Sequence, residues 1–259
     1  MFLFLFPLFP DFLSLSRKKY NTRKYLQYKE SKHRILLFSS QNAEIRETMA
    51  SSILDPNETF ASLTESVGLD YRLRKAVQRL GHVRPTLVQS KCLPLAITSG
   101  RDLLVRAKTG SGKTLAYCLP LLQKILRSSE VSGTNHAPGV RAVILVPTRE
   151  LCSQVFRTLQ SLVYYCDEVV SLAVLSATRK GGRGTKAQQD IARQKAMLRD
   201  RPDVIVATPA GLLTHIRNGD VELKDTMETL VVDEADLVLS FGKKKNLFIH
   251  RSLVYIRAR

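Results

Sequence analysis

The feature that most constrains this chain is a glycine-rich turn set between two apolar runs. Residues 103–105 (Leu-Leu-Val) lead into Arg106, and then into Ala107, Lys108, Thr109, Gly110, Ser111, Gly112, Lys113 and Thr114, after which the chain is apolar again. A strand, a tight turn and a helix N-terminus in that order aim backbone N–H groups and the positive end of a helix dipole at one point, which suits a bound anion. Gly110 and Gly112 permit the unusual dihedrals and the close approach that phosphate oxygens need. Lys113 can reach the β- and γ-phosphates as a point charge, and the Thr114 hydroxyl can ligate Mg2+. The general pattern for such loops begins with glycine, where this chain has Ala107. Residues 107–114 are therefore predicted to bind a nucleoside triphosphate.

From about residue 70 to 236 the chain alternates helix-like and strand-like runs. Leu73, Ala76, Val77 and Leu80 have the spacing of one helix face, and residues 115–126 and 150–163 also read as helices. Residues 141–146 form a continuous, largely β-branched run, as in a strand covered on both faces. Further strands are predicted at 102–105, 169–175, 203–208 and 229–233, with helices at about 186–199 and 209–217 between them. Such alternation with buried strands argues for an α/β fold built on a parallel sheet.

A second constellation follows 120 residues beyond Lys113, where Leu230-Val231-Val232 ends in Asp233-Glu234-Ala235-Asp236. In a fold built on a phosphate loop, this strand is expected beside the loop. Asp233 would help Thr114 to hold Mg2+, and Glu234 would orient or deprotonate an attacking water. The predicted catalytic set is thus Lys113, Asp233 and Glu234, with Thr114 and Asp233 as metal ligands.

These two segments together resemble the ATP site of the DEAD-box ATP-dependent RNA helicases, and the resemblance covers about residues 60–242. It implies a RecA-like parallel sheet flanked by helices, with ATP and Mg2+ as cofactors. Residues 84–89 (Arg-Pro-Thr-Leu-Val-Gln) resemble the family's adenine-reading segment, so Gln89 would hydrogen-bond the adenine edge. Phe60 is the candidate for an upstream aromatic, and His82 stands where an aromatic is usual. Pro147, Thr148 and Arg149 resemble the first RNA-contacting motif, and Thr208 with Pro209 resembles a later one, with Gly211 in place of its usual arginine. Such residues would hold the sugar-phosphate backbone without reading sequence. Residues 176–178 (Ser-Ala-Thr) match the family's coupling motif in letters but precede the acidic strand, so the match is read as coincidence. Residues 233–242 are most similar to the nucleolar branch that serves large-ribosomal-subunit assembly. That branch implies RNA and pre-ribosomal particles as partners and a nuclear, nucleolar location.

Charge supports a polyanionic partner but does so unevenly. The chain of 259 residues carries 40 Lys and Arg against 23 Asp and Glu, a formal charge of +17. Residues 1–48 contribute +5, residues 243–259 contribute +6 and residues 179–201 contribute +6, so only the last excess lies between motifs that would face RNA. Four cysteines, Cys92, Cys118, Cys152 and Cys166, form no Cys-x-x-Cys pair and read as core residues of a reduced protein.

Residues 1–48 are expected to be a non-globular leader and residues 49–242 the ATP-binding domain. Residues 243–259 are expected to be a basic tail without family resemblance. The apolar start, residues 1–15, lacks a preceding positive region and is shorter than the ~20 residues a bilayer span needs, so no stable membrane association is expected. The resemblance implies a second RecA-like domain that supplies arginines to the γ-phosphate, and it is not found here. Such arginines are worth roughly 10³ to 10⁵ in rate. The chain is therefore expected to be truncated after the acidic motif, to bind nucleotide weakly and not to unwind RNA. The competing expectation is a catalytically inactive RNA-binding module. Another P-loop ATPase is disfavoured, because Gln89 and residues 147–151 would then need separate explanations.

Overall fold

The computed structural model describes residues 2–7, 37–38, 53–100, 103–107, 109–132, 139–176 and 185–240. Seven strands form one sheet: β1 (Phe2–Pro7), β2 (Leu37–Phe38), β3 (Leu103–Arg106), β4 (Ala142–Leu145), β5 (Leu172–Leu175), β6 (Val204–Ala207) and β7 (Thr229–Val232). Their order is β2-β3-β1-β7-β4-β6-β5. The block β7-β4-β6-β5 is parallel throughout, with Ala142 opposite both Thr229 and Val204, and Leu172 opposite Val204. β1 pairs antiparallel with both β3 and β7, so β3 runs in the same direction as the parallel block.

Eight α-helices accompany the sheet among the described residues. These are α1 (Phe60–Ser66), α2 (Tyr71–Arg79), α3 (Leu87–Leu93), α4 (Lys113–Ser132), α5 (Arg149–Leu162), α6 (Thr185–Arg199), α7 (Pro209–Arg217) and α8 (Ala235–Ser240). Helix starts follow local capping chemistry. Thr59, Asp70, Thr86, Thr148 and Thr208 each stand just before a helix and accept a backbone N–H from its first turn.

Alternation along the central strands divides the core in two. Ala142 and Ile144 of β4, Val204 and Val206 of β6 and Val231 of β7 pack with Leu122 and Leu126 of α4 and Val155 and Leu159 of α5. Val143, Leu145, Ile205, Ala207, Leu230 and Val232 point to the opposite face and meet Leu198 of α6, Leu212 of α7 and Val238 of α8. β4, β6 and β7 are buried at every position, as the continuous apolar runs predict. On the second face His215 of α7 is also buried, held between Asp220 Oδ2 at 2.9 Å and Gln194 Oε1 at 3.1 Å. Gln194 Nε2 in turn donates to the Ser176 carbonyl at 3.2 Å, so one polar chain ties α6, α7 and the end of β5.

All four cysteines are unpaired and buried, as expected of core residues. Burial pushes the Cys92 and Cys152 thiols up to about 12 and Cys166 up to about 11. Among the described residues no helix is long and apolar enough to cross a membrane.

One expectation needs revision. Residues 2–7 and 37–38, assigned to a non-globular leader, are strands of the sheet. β1 lies between the acidic strand β7 and the phosphate-loop strand β3 and pairs with both. Residues 8–36, 39–52, 177–184 and 241–259 lie outside the described residues, including most of the leader, the basic tail and Arg179, Lys180 and Arg183.

Ile144 is fully buried at the centre of the first core, whereas Val83 is 72% exposed. Ile144→Ala is expected to cost about 2–5 kcal/mol of stability in urea unfolding. Val83→Ala is expected to stay within about 0.5 kcal/mol of the parent.

Candidate active site

In a parallel sheet every strand delivers its carboxyl end to the same edge, where ligands of α/β folds bind. Here that edge collects the predicted groups. β3 runs into the loop of residues 107–112, β4 into Pro147 and Thr148, β6 into Thr208 and Pro209, and β7 into Asp233 and Glu234.

The loop is built on two glycines in the left-handed region, Gly110 at φ +80° and Gly112 at φ +81°. Around Gly110 the space is open. At Gly112 a Cβ would stand 2.5 Å from Gln89 Nε2 and 2.9 Å from Thr86 Oγ1, so this glycine is required by packing as well as by dihedral. Thr86 and Gln89 form a reciprocal cap at the start of α3. Gln89 N–H donates to Thr86 Oγ1 at 3.3 Å and Thr86 N–H donates to Gln89 Oε1 at 2.8 Å. Gln89 Nε2 then donates to the Gly112 carbonyl at 3.1 Å. The carboxamide therefore clamps α3 to the phosphate loop, and it keeps one further N–H and one lone pair for an outside partner.

Lys113 opens α4 and is buried, with Nζ donating to the Ala107 carbonyl at 2.9 Å and to Ser111 Oγ at 3.4 Å. Its ammonium is thus turned back into the loop. Burial lowers its pKa, against the opposing pull of Asp233 and Glu234. Thr114 follows on the same helix turn. Lys108 lies outside the described residues, and Thr109 is exposed at the loop's tip.

Asp233 continues the β7 ladder, its N–H donating to the Leu145 carbonyl at 2.9 Å. The chain then turns sharply at Glu234, which sits at φ +50°, a left-handed value that favours glycine. The Glu234 N–H donates to Asp233 Oδ1 at 2.9 Å. Tyr117 Oη donates to Asp233 Oδ2 at 3.1 Å. Burial raises the Asp233 carboxyl, partly offset by those two hydrogen bonds and by Lys113. Glu234 is half-buried and also raised, first by burial and then by the neighbouring charges of Asp233 and Asp236.

A buried lysine, a buried aspartate and a threonine at one mouth suit a polyanion with a divalent cation, because each charge taken out of water there gains an opposite one. Tyr117 was not among the predicted site residues. Its signal in the sequence is a phenol inside a wholly apolar helical run, one turn beyond Thr114. A buried hydroxyl of that kind requires a partner.

The residues predicted to touch nucleic acid divide. Thr148 is exposed, and its hydroxyl caps α5 through Leu151 N–H at 3.2 Å. Arg149 is partly exposed and lies 3.6 Å from Asp190 of α6. Pro147 and Pro209 are half-buried beside them on the same edge. Thr208 departs from expectation, since it is only 5% exposed and its hydroxyl accepts Gly211 N–H at 3.2 Å. Its side chain is a buried helix cap, not an open contact. Phe60 is likewise in the core, its ring centroid 6.0 Å from that of His82.

The family model for DEAD/DEAH box helicases matches residues 86–254, a span that reaches into the segment set aside as a basic tail. The chain is 41% identical over 216 residues to the probable ATP-dependent RNA helicase ddx56 of Dictyostelium discoideum, covering 83% of this chain and 29% of that protein. It is 42% identical over 200 residues to the ATP-dependent RNA helicase dbp9 of Botryotinia fuckeliana, covering 77% and 30%. The chain thus spans less than a third of the length of these curated relatives. The crystal structure of the yeast DEAD-box splicing factor Prp28 superposes with a TM-score of 0.59 at 25% identity, covering 93% of this chain and 50% of that one.

The raised Asp233 carboxyl carries a signed consequence. Below its ordinary value of 3.8 it is protonated in both the folded and unfolded chain and costs nothing. As pH rises through the higher folded value, ionisation in the fold costs stability. Without nucleotide or metal, Asp233→Asn is therefore expected to melt at a higher temperature than the parent near neutral pH. The gap should close as the pH falls towards 3.8. Thermal melts across that range check this, and a variant less stable at neutral pH refutes it.

Proposed function

The chain belongs to the DEAD/DEAH box helicase family, and on that premise we propose that it forms the ATP-binding domain of an ATP-dependent RNA helicase. The observation that carries the reading is the shared edge: loop, acidic strand end and the exposed residues after β4 all open at the carboxyl ends of parallel strands. The names of the relatives ddx56 and dbp9 support the RNA helicase reading, and the resemblance of residues 233–242 to the nucleolar branch of the family supports a role in large-ribosomal-subunit assembly and a nucleolar location. Pre-ribosomal particles are the proposed partners, with RNA as the substrate.

In this reading ATP supplies the scissile phosphoanhydride, and Mg2+ supplies the charge that offsets the phosphates. Residues 109–112 offer backbone N–H groups at the head of the 20-residue helix α4. Lys113 exchanges neutral acceptors, among them the Ala107 carbonyl and the Ser111 hydroxyl, for phosphate oxygens, a stronger charge-assisted contact. Gln89 uses its remaining donor and acceptor on the adenine edge. Thr114 and Asp233 are the proposed metal ligands. Glu234, whose pKa is raised by burial, is placed one residue beyond Asp233 to hold the attacking water and accept its proton.

RNA is held by its backbone at Pro147, Thr148, Arg149 and Pro209. The Arg149–Asp190 pair is exposed on both sides, so it is weak and Arg149 can trade it for a phosphate.

Lys113→Ala is expected to weaken binding of a fluorescent ATP analogue with Mg2+ by about ten-fold or more. Equal binding by parent and variant would overturn the ATP-site reading. RNA-stimulated phosphate release, measured beside it, separates the two readings of the chain. Turnover lost in Lys113→Ala supports the ATPase, whereas RNA affinity indifferent to ATP supports the inactive RNA-binding module. Arg149→Ala is expected to lower RNA affinity equally across sequences, and to reduce the salt slope by roughly 0.7 for one lost single-strand phosphate contact. A sequence-dependent loss in titrations at several salt concentrations would refute the backbone role.

A further inference from the structure

We propose that the Tyr117 hydroxyl, on the phosphate-loop helix one turn beyond Thr114, is a positioning group that fixes the Asp233 carboxylate at the end of the acidic strand for a metal ion. The inference rests on the ATP-site reading and adds to it a residue outside the loop and acidic motifs.

Within the sheet β3 and β7 share no hydrogen bonds, since β1 pairs with both. Tyr117 supplies a direct side-chain link from α4 to the end of β7. It lies three residues after Thr114 on α4, on the same helix face. Its Oη donates to Asp233 Oδ2 at 3.1 Å, a contact between residues 116 apart in the chain.

Asp233 is held at both oxygens, Oδ2 by Tyr117 and Oδ1 by the Glu234 N–H at 2.9 Å. The carboxylate cannot rotate without breaking one of them. The Tyr117 hydroxyl therefore helps to fix the plane of this carboxylate.

Packing alone does not ask for that hydroxyl. Tyr117 is fully buried among Leu115, Ala116, Cys118 and Leu119, all within the same apolar run. A phenylalanine would fill the same ring volume there without a polar atom to desolvate.

The test is Tyr117→Phe in the full chain, with Mn2+ as the probe. Mn2+ affinity of the ATP-loaded protein, read by electron paramagnetic resonance, is expected to fall about ten-fold, the usual loss when a group that orients a metal ligand is removed. Affinity for the fluorescent ATP analogue without metal should be unchanged. Unchanged Mn2+ affinity in a parent that binds ATP overturns this proposal and leaves the ATP-site reading intact. A parent that binds no nucleotide overturns both. Should Tyr117→Phe lose stability, a double-mutant cycle with Asp233→Asn in thermal melts reads the same contact. Non-additive shifts in melting temperature support the link, and additive shifts overturn it.

Discussion

Burial of β4, β6 and β7 on both faces is the constraint from which the architecture of the site follows. With each of their residues inside, alternate side chains feed two separate cores, and no polar group can leave the body of a strand. Chemistry is confined to the strand ends. Because these strands are parallel, their carboxyl ends share one edge, and each must turn there into a helix. The turns are made with threonine caps at 148 and 208, with glycines at 110 and 112, and with a strained glutamate at 234. Of the residues that make these turns, Thr148 and Gly110 are exposed at that edge, whereas Thr208 is buried.

That arrangement stores unfavourable energy at the edge. Lys113 and Asp233 are both buried, and burial moves each toward its neutral form, the lysine down and the aspartate up. Glu234 holds a left-handed backbone that costs a non-glycine residue on the order of 1–3 kcal/mol. The cost is bearable because the surrounding ladder and hydrogen bonds leave little freedom: Asp233 is fixed to Leu145, and Leu237 and Val238 both donate to the Glu234 carbonyl. A ligand bringing both negative phosphates and a cation would relieve the two charges together, which links occupancy to stability.

What could be read from the chain follows from how locally each feature is encoded. The buried strands and the helices α2, α4, α5 and α7 announce themselves by period and by apolar runs, and the loop by a contiguous motif. Pairing order is not local. Nothing in residues 230–236 says which strand lies beside them, and the insertion of β1 between β3 and β7 escaped a motif-based reading. Thr208 shows a second, local demand on a residue read as an RNA contact. A threonine before a proline at the first helical position is a helix-start signal in its own right, and here the hydroxyl serves the cap in preference to the surface. Phe60 fails because an aromatic near the right distance in sequence is more economically used in the core.

Gln89 shows how one residue can satisfy both a local and a distant demand. The reciprocal cap with Thr86 spans three residues and is visible in sequence as Thr-x-x-Gln. The bond to Gly112 spans 23 and is not. Those two contacts occupy one donor and one acceptor of the carboxamide and fix its plane against the loop. They leave the other donor and acceptor in an orientation set by the protein beforehand, which the proposed adenine contact would use. The absence of a Cβ at Gly112 is what lets the amide approach at all, since a side chain there would stand 2.5 Å from Nε2. Base recognition and phosphate recognition would therefore share a single rigid joint. A change in the loop backbone at Gly112 would be felt at the base through one hydrogen bond, with no moving element between them.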